Sequence, residues 1–312
     1  MNKIGFLFPG QGSQRVGMGA DLHAEYDAVR EIFDAADEIA HTHITNLCFK
    51  GPMEELTATV NLQPAVTAVN LACLFAIEKE GIRCSYCAGH SLGEYSALKA
   101  AGTLSMPDTL KAVFRRGELM HRESVKFKGA MHAIVGLDIN TVNEIVEKAQ
   151  DKGIVSVANH NSESQIVITG EPDAVKTASI FAKERGARAI PLKVSGAWHS
   201  ELIRGAEKEF SRYLEGVEFK SPGRPVIHNV TADTQASGDL IRELMVKQLC
   251  SPVKWYDTIV WMMKEKIDVF VEVGPGKVLT GLLKKILPSD YACRIFNVGD
   301  MRTLETFLKE VS

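Results

Sequence analysis

The chain predicts an α/β fold, a mainly parallel sheet covered by helices on both faces, with a small α+β unit inserted into it. Three observations predict it. Short apolar runs alternate with amphipathic stretches along most of the sequence, as in a parallel sheet whose crossovers are helices. One junction carries Gly89-His90-Ser91-Leu92-Gly93, a Gly-x-Ser-x-Gly motif set between a strand and a helix. From Gly129 to Val194 the order becomes strand, helix, strand, strand, helix, strand, a ferredoxin-like split motif. The expected division is a large discontinuous domain, 1–127 with 195–312, and a small one over 128–194.

Taken in order, Lys3 to Phe8 reads as a short buried strand that Pro9-Gly10 breaks. Tyr26 to Ala40 is an amphipathic helix, and Gln63 to Glu80 an apolar one that Gly81 stops. Ser85 to Ala88 is the strand feeding the motif, and Leu92 to Ala101 the helix leaving it. Met106 to Glu123 is a helix opened by Ser105, with Asp108 three residues on as a capping box. At about 100° per residue its apolar face holds Leu110, Val113, Phe114, Gly117 and Met120. Arg115 lies opposite that face as a solvated charge, and Arg116 on its flank, within reach of a cleft.

In the small unit, strands are expected at Ala130 to Leu137, Val155 to Asn159, Gln165 to Thr169 and Arg188 to Val194. Helices are expected at Asn140 to Lys152 and Pro172 to Arg185. Beyond it, Ser195 to Ser200 is a turn opening a helix to about Leu214. Pro225 to Val230 and Val269 to Val273 are strands, and Lys277 to Ile286 a helix.

Composition narrows the function. With 45% hydrophobic and 24% charged residues in 312, the chain has ample material for a core. Its net charge of -3 and lack of a basic tract argue against nucleic acid or an anionic membrane as partner. Ile4 to Phe8 is too short for a signal core, and no window is expected to reach the roughly 20 apolar residues of a membrane span. A cytoplasmic chain with six reduced cysteines is the expectation. Cys84-x-x-Cys87 has no second pair at metal spacing and reads as buried thiols. Gly10-Gln11-Gly12 lacks the letters of a phosphate loop.

The Gly-x-Ser-x-Gly motif carries chemistry. It lifts the Ser91 hydroxyl clear of the sheet at a helix N-terminus, where free backbone N–H groups can hold an oxyanion. A serine hydroxyl then needs a base, and histidine has the right pKa. His90 should point away from its neighbour. His23, His41 and His43 read as surface residues, while His121, His132 and His160 have no special turn around them. His199, on a glycine-containing turn between the two units, and His228, in a short strand, are left. No acid stands out as the third member, with Asp233, Asp257 and Glu272 possible on composition. A backbone carbonyl can orient an imidazole instead.

Seven segments together resemble malonyl-CoA:acyl carrier protein transacylase. They are Pro9 to Gln14, Gln63-Pro64-Ala65, Gly89 to Ala97, Arg116-Gly117-x-x-Met120, Asn159-x-Asn161-Ser162, Gln248-Leu249-x-x-Pro252-Val253-x-Trp255 and Glu272 to Lys277. They fall in the family's order over nearly the whole chain. The resemblance implies a hydrolase-like core with the ferredoxin-like insert, and an active site between them. It implies Ser91 as acylated nucleophile, His199 as base and acid, and the backbone N–H groups of Gln11 and Leu92 as oxyanion hole. Arg116 would fork onto the malonyl carboxylate, the Gln248 carbonyl would orient His199, and His90 and Asn161 would line the site. Trp198 stands where malonyl-selective relatives often carry Phe, and should narrow the pocket against an α-methyl branch.

The resemblance implies malonyl-CoA and acyl carrier protein as partners; no metal, no cofactor and a monomer are the further expectations. Alternatives are a trans-acting acyltransferase of a polyketide or polyunsaturated fatty acid synthase, a thioester hydrolase acting on acyl carrier protein, and a docking subunit without turnover. Arg185, Arg188 and Lys193 read as solvated charges in the insert, available to an acidic carrier.

Overall fold

A computed structural model describes residues 3–311. Two sheets organise it. The larger has five strands, β1 (Ile4–Phe8), β2 (Tyr86–Gly89), β7 (Val226–Ile227), β8 (Val269–Val273) and β9 (Arg294–Val298), in the order β7-β2-β1-β8-β9. Every pairing in it is parallel. The central strands are buried apolar runs: Phe6, Phe8, Cys87, Val269, Phe270 and Val271 are fully enclosed. The loops leaving β1, β2 and β8 all lie at the carboxyl ends of adjacent strands, where an open α/β sheet binds its ligands.

The smaller sheet contains β3 (Ala130–Val135), β4 (Val155–Ser162), β5 (Gln165–Gly170) and β6 (Arg188–Pro191) in the order β4-β5-β3-β6, all antiparallel. Helices Ile139–Ala149 and Pro172–Glu184 complete the ferredoxin-like arrangement, with a separate core built around Ile134, Ile145, Val146, Ile166 and Ile168. The end of β4 is tied to the large unit: Val253 N–H donates to Ala158 O (2.8 Å) and His160 N–H to Val253 O (2.9 Å).

Several boundaries differ from the sequence reading. The apolar helix runs Thr59–Lys79, starting a turn before Gln63, because Pro64 sits inside the helix and not at its first position. At 21 residues it is long and apolar enough to cross a membrane, against expectation, but 83% of its apolar window is buried and it is a core helix. Strand β4 extends through Ser162 across two bulges, while β6 stops at Pro191 and β7 holds only two residues. The segment after Ser200 opens with a 3-10 turn, Glu201–Ala206, before helix Glu207–Glu215. Strand β9 and helices Gly238–Lys247, Trp255–Lys264 and Met301–Val311 had no clear sequence signal. His23 is half-buried, edge-on to Phe33 and Phe49, and not a surface residue.

The helix Gly93–Ala100 lies so close to β1 that a Cβ on Gly93 would sit 2.0 Å from Phe8 O. Backbone cannot yield there. Gly93→Ala is therefore expected to cost more than about 3 kcal/mol, or to prevent folding. Gly281→Ala, in an exposed helix position with open space around it, should instead gain about 0.5–1 kcal/mol. Thermal unfolding of both variants checks this, and a tolerated Gly93→Ala would contradict the packing.

Candidate active site

The motif forms a sharp elbow. Ser91 has φ 52°, the left-handed region, at a cost of order 1–3 kcal/mol for a residue with a Cβ. Both of its backbone groups are clamped. Ser91 N–H donates to Asn229 Oδ1 (2.7 Å), and Gln248 Nε2 donates to Ser91 O (3.0 Å). Asn229 Nδ2 also donates to Gly89 O (2.7 Å), so one side chain spans the turn. A Cβ on Gly89 would lie 2.0 Å from the Gly93 carbonyl carbon, which explains the flanking glycines.

The Ser91 hydroxyl lies 2.7 Å from His199 Nε2. His199 Nδ1 lies 2.9 Å from Gln248 O. A carbonyl only accepts, so Nδ1 carries the proton and Nε2 presents its lone pair to the hydroxyl. The sequence placed His199 on a turn at the junction, and the structure holds that residue at φ 61°. Burial, and then the Arg116 charge, push the His199 pKa down to about 3, against a smaller opposing pull from the Gln248 carbonyl. The imidazole is a neutral acceptor over the whole physiological range.

His228, the other candidate, faces away from Ser91. It is fully buried, and its Nδ1 lies 2.9 Å from Glu94 Oε1. Asp257 sits near His160 (3.7 Å), and Glu272 accepts from Leu279 N–H (3.0 Å) and Thr280 N–H (2.8 Å) as a helix cap. Asp233 belongs to the turn after His228. None of the three orients His199.

Arg116 is 1% exposed and points inward from helix Met106–Lys126. It donates to Ser91 Oγ (3.1 Å), Gln63 Oε1 (3.0 Å) and Gln248 Oε1 (3.1 Å), all neutral oxygens. Among the described residues no carboxylate oxygen lies within 4.0 Å of it, and its buried Nε–H has no acceptor. Burial lowers its pKa, while Tyr95 and Glu94 pull it back up. Arg115 faces out and pairs with Glu118 (3.0 Å) and Glu209.

A cavity of about 100 Å³ joins these groups, lined by Gln11, Leu92, Arg116, Met120, Trp198 and His199 among others. The Gln11 loop packs on the elbow: a Cβ on Gly10 would come within 2.5 Å of His90 O and 3.5 Å of Leu92 N. Among the described residues neither Gln11 N–H nor Leu92 N–H finds an acceptor, which leaves both for an oxyanion. His90 Nε2 bonds Asn161 Oδ1 (2.8 Å) and its ring packs edge-on to Trp255. Asn161 thus braces His90, and Asn159 is the asparagine on the cavity wall. Trp198, 4% exposed, forms another wall. A hollow of about 520 Å³ bordered by Gln11, Met53, Thr57 and Lys193 adjoins the cavity and leads outward.

The sequence reading gave Glu94, Asn229 and Gln63 no site role. The signal for Glu94 is its spacing: three residues after Ser91, it sits one helical turn from the nucleophile.

Comparison with known proteins first gives the class. The model of the acyl transferase domain matches residues 5–307, and the chain is an acyltransferase. A Bacillus subtilis (strain 168) protein named malonyl CoA-acyl carrier protein transacylase is 44% identical over 307 residues, 98% of this chain and 96% of that one. A crystal structure of an acyl carrier protein S-malonyltransferase from Vibrio cholerae superposes with a TM-score of 0.92 at 38% identity, covering 98% and 99% of the two chains. A malonyl-transacylase solved in complex with its type II PKS acyl-carrier protein gives 0.94 at 37% identity, covering 99% of each. The chain belongs to the malonyl-CoA:acyl carrier protein transacylase family.

The depressed His199 pKa sets a pH dependence. The base works when neutral, so lowering its pKa extends activity toward acid. Labelling of Ser91 by a fluorophosphonate should stay level from pH 8 to about 5 and fall only towards pH 3. The unfolded imidazole binds a proton below its ordinary value near 6.5, so this group removes stability as pH falls through that window. A labelling rate that halves near pH 6.5 would contradict a neutral, buried base.

Proposed function

We propose that the chain moves a malonyl group from malonyl-CoA to the phosphopantetheine thiol of an acyl carrier protein through an ester on Ser91. One observation carries the reading: a buried guanidinium with no carboxylate partner among the described residues, 3.1 Å from the nucleophile. Malonyl-CoA has its free carboxylate a few atoms from its thioester carbonyl, so it places the missing anion at Arg116 while presenting the carbonyl to Ser91.

Ser91 Oγ attacks that carbonyl as its proton passes to His199 Nε2, and the oxyanion takes the N–H groups of Gln11 and Leu92. The tetrahedral intermediate collapses, the C–S bond breaks, and the CoA thiolate leaves with the proton from His199. The carrier's thiol then gives its proton to His199 and attacks the ester. Ser91 leaves, recovers the proton, and the cycle is ping-pong. The bound carboxylate also offsets the Arg116 charge that depresses His199, so the base strengthens when the correct acyl group is seated. A narrow cavity keeps water from the ester. All six cysteines are free thiols, in keeping with a reducing cytoplasm.

An acetyl group leaves the guanidinium buried and unpaired, a penalty of about 3–5 kcal/mol. Arg116→Ala should lower malonyl transfer by about 10²–10³-fold, since each 1.4 kcal/mol is tenfold, and leave acetyl transfer within several-fold. Trp198→Ser should admit methylmalonyl-CoA, which the native ring excludes. Intact mass after brief mixing with malonyl-CoA tests the core of the reading. It should show one malonyl adduct, absent in Ser91→Ala and discharged by acyl carrier protein. No adduct would sink the proposal, and free malonate forming equally fast without carrier protein would make the chain a hydrolase.

A further inference from the structure

The site holds a second buried ion, Glu94, 1% exposed on the first turn after the nucleophile. Three donors converge on its carboxylate: His228 Nδ1 (2.9 Å), Asn229 N–H (3.3 Å) and Gln248 Nε2 (2.6 Å). The last contact reaches Arg116. The Gln248 amide gives its nitrogen to Glu94 and its oxygen to Arg116 Nη2 (3.1 Å), so one neutral amide separates the two charges. Because a carboxylate only accepts, Glu94 fixes which way that amide points, with the oxygen toward the guanidinium.

We propose that Glu94 is a positioning residue for acyl selection: through Gln248 it compensates the buried Arg116 charge without occupying the guanidinium. The inference rests on the malonyl reading above. A carboxylate in direct contact would form a bidentate pair with Arg116 and take the donors that the acyl carboxylate needs. Having no counter-charge would leave a buried cation that the fold must support alone. One amide between them meets both demands. It screens the ion in the empty enzyme and leaves the Nε–H without an acceptor on a guanidinium that lines the cavity. The same carboxylate holds Asn229, which clamps the Ser91 amide, so selectivity and elbow geometry share one anchor.

The test compares kcat/KM for malonyl-CoA and acetyl-CoA in wild type, Glu94→Gln, and the exchange variant Glu94→Gln with Gln248→Glu. Glu94→Gln keeps an acceptor for Gln248 but removes the charge that repels an incoming carboxylate. Its malonyl-to-acetyl ratio should rise several-fold, through a lower KM for malonyl-CoA. The exchange variant puts the carboxylate directly on Arg116 and should collapse the ratio at least tenfold. A merely structural role moves both substrates alike, so an unchanged ratio in Glu94→Gln overturns the proposal, as does a fall. If the exchange variant does not fold, Glu94→Gln decides alone. A wild type that does not discriminate overturns the malonyl reading itself, and this inference with it.

Discussion

Arg116 is a full positive charge buried over the nucleophile with only neutral oxygens in contact, and much of the site follows from holding it there. Such an ion costs several kcal/mol to desolvate unless something compensates it. The protein compensates in part, through the Gln248 amide and Glu94, and leaves the remainder for substrate. Burial first, and then the same charge, keep His199 neutral, so the base is ready but weak until an anion arrives. Selectivity and activation are therefore two results of one electrostatic imbalance.

The fold makes that imbalance possible by closing one unit over another. The elbow and the Gln11 loop lie at the carboxyl ends of neighbouring parallel strands, where N–H groups face outward. Helix Met106–Lys126 brings Arg116 across, and the turn after the small sheet brings His199 and Trp198. The segment from Gln248 to Val253 is shared: its carbonyl orients the base, and its far end hydrogen-bonds to β4. One short segment thus ties the small sheet to the placement of His199.

The sequence revealed the parts that sterics or periodicity force. Gly89 and Gly93 are required because backbone passes within a Cβ's reach, so the elbow was legible in five letters. The small unit was legible because its strand and helix periods alternate cleanly. Partnerships across the chain were not. The residues themselves left His199 and His228 nearly level, and only the contact with Glu94 takes His228 away from the serine. Glu94 was given no role, because its partners His228 and Gln248 lie far along the chain. The apolar helix was read from Gln63, whereas it begins a turn further back with Pro64 inside it.

The central claim is that the buried guanidinium waits for the acyl carboxylate. A crystal structure of the malonyl-enzyme, trapped without carrier protein, measures this directly. The ester is expected on Ser91 with its carboxylate in a forked contact to Arg116, and the Gln248–Glu94 hydrogen bond intact. A carboxylate turned toward solvent, with Arg116 still on neutral oxygens, would contradict it.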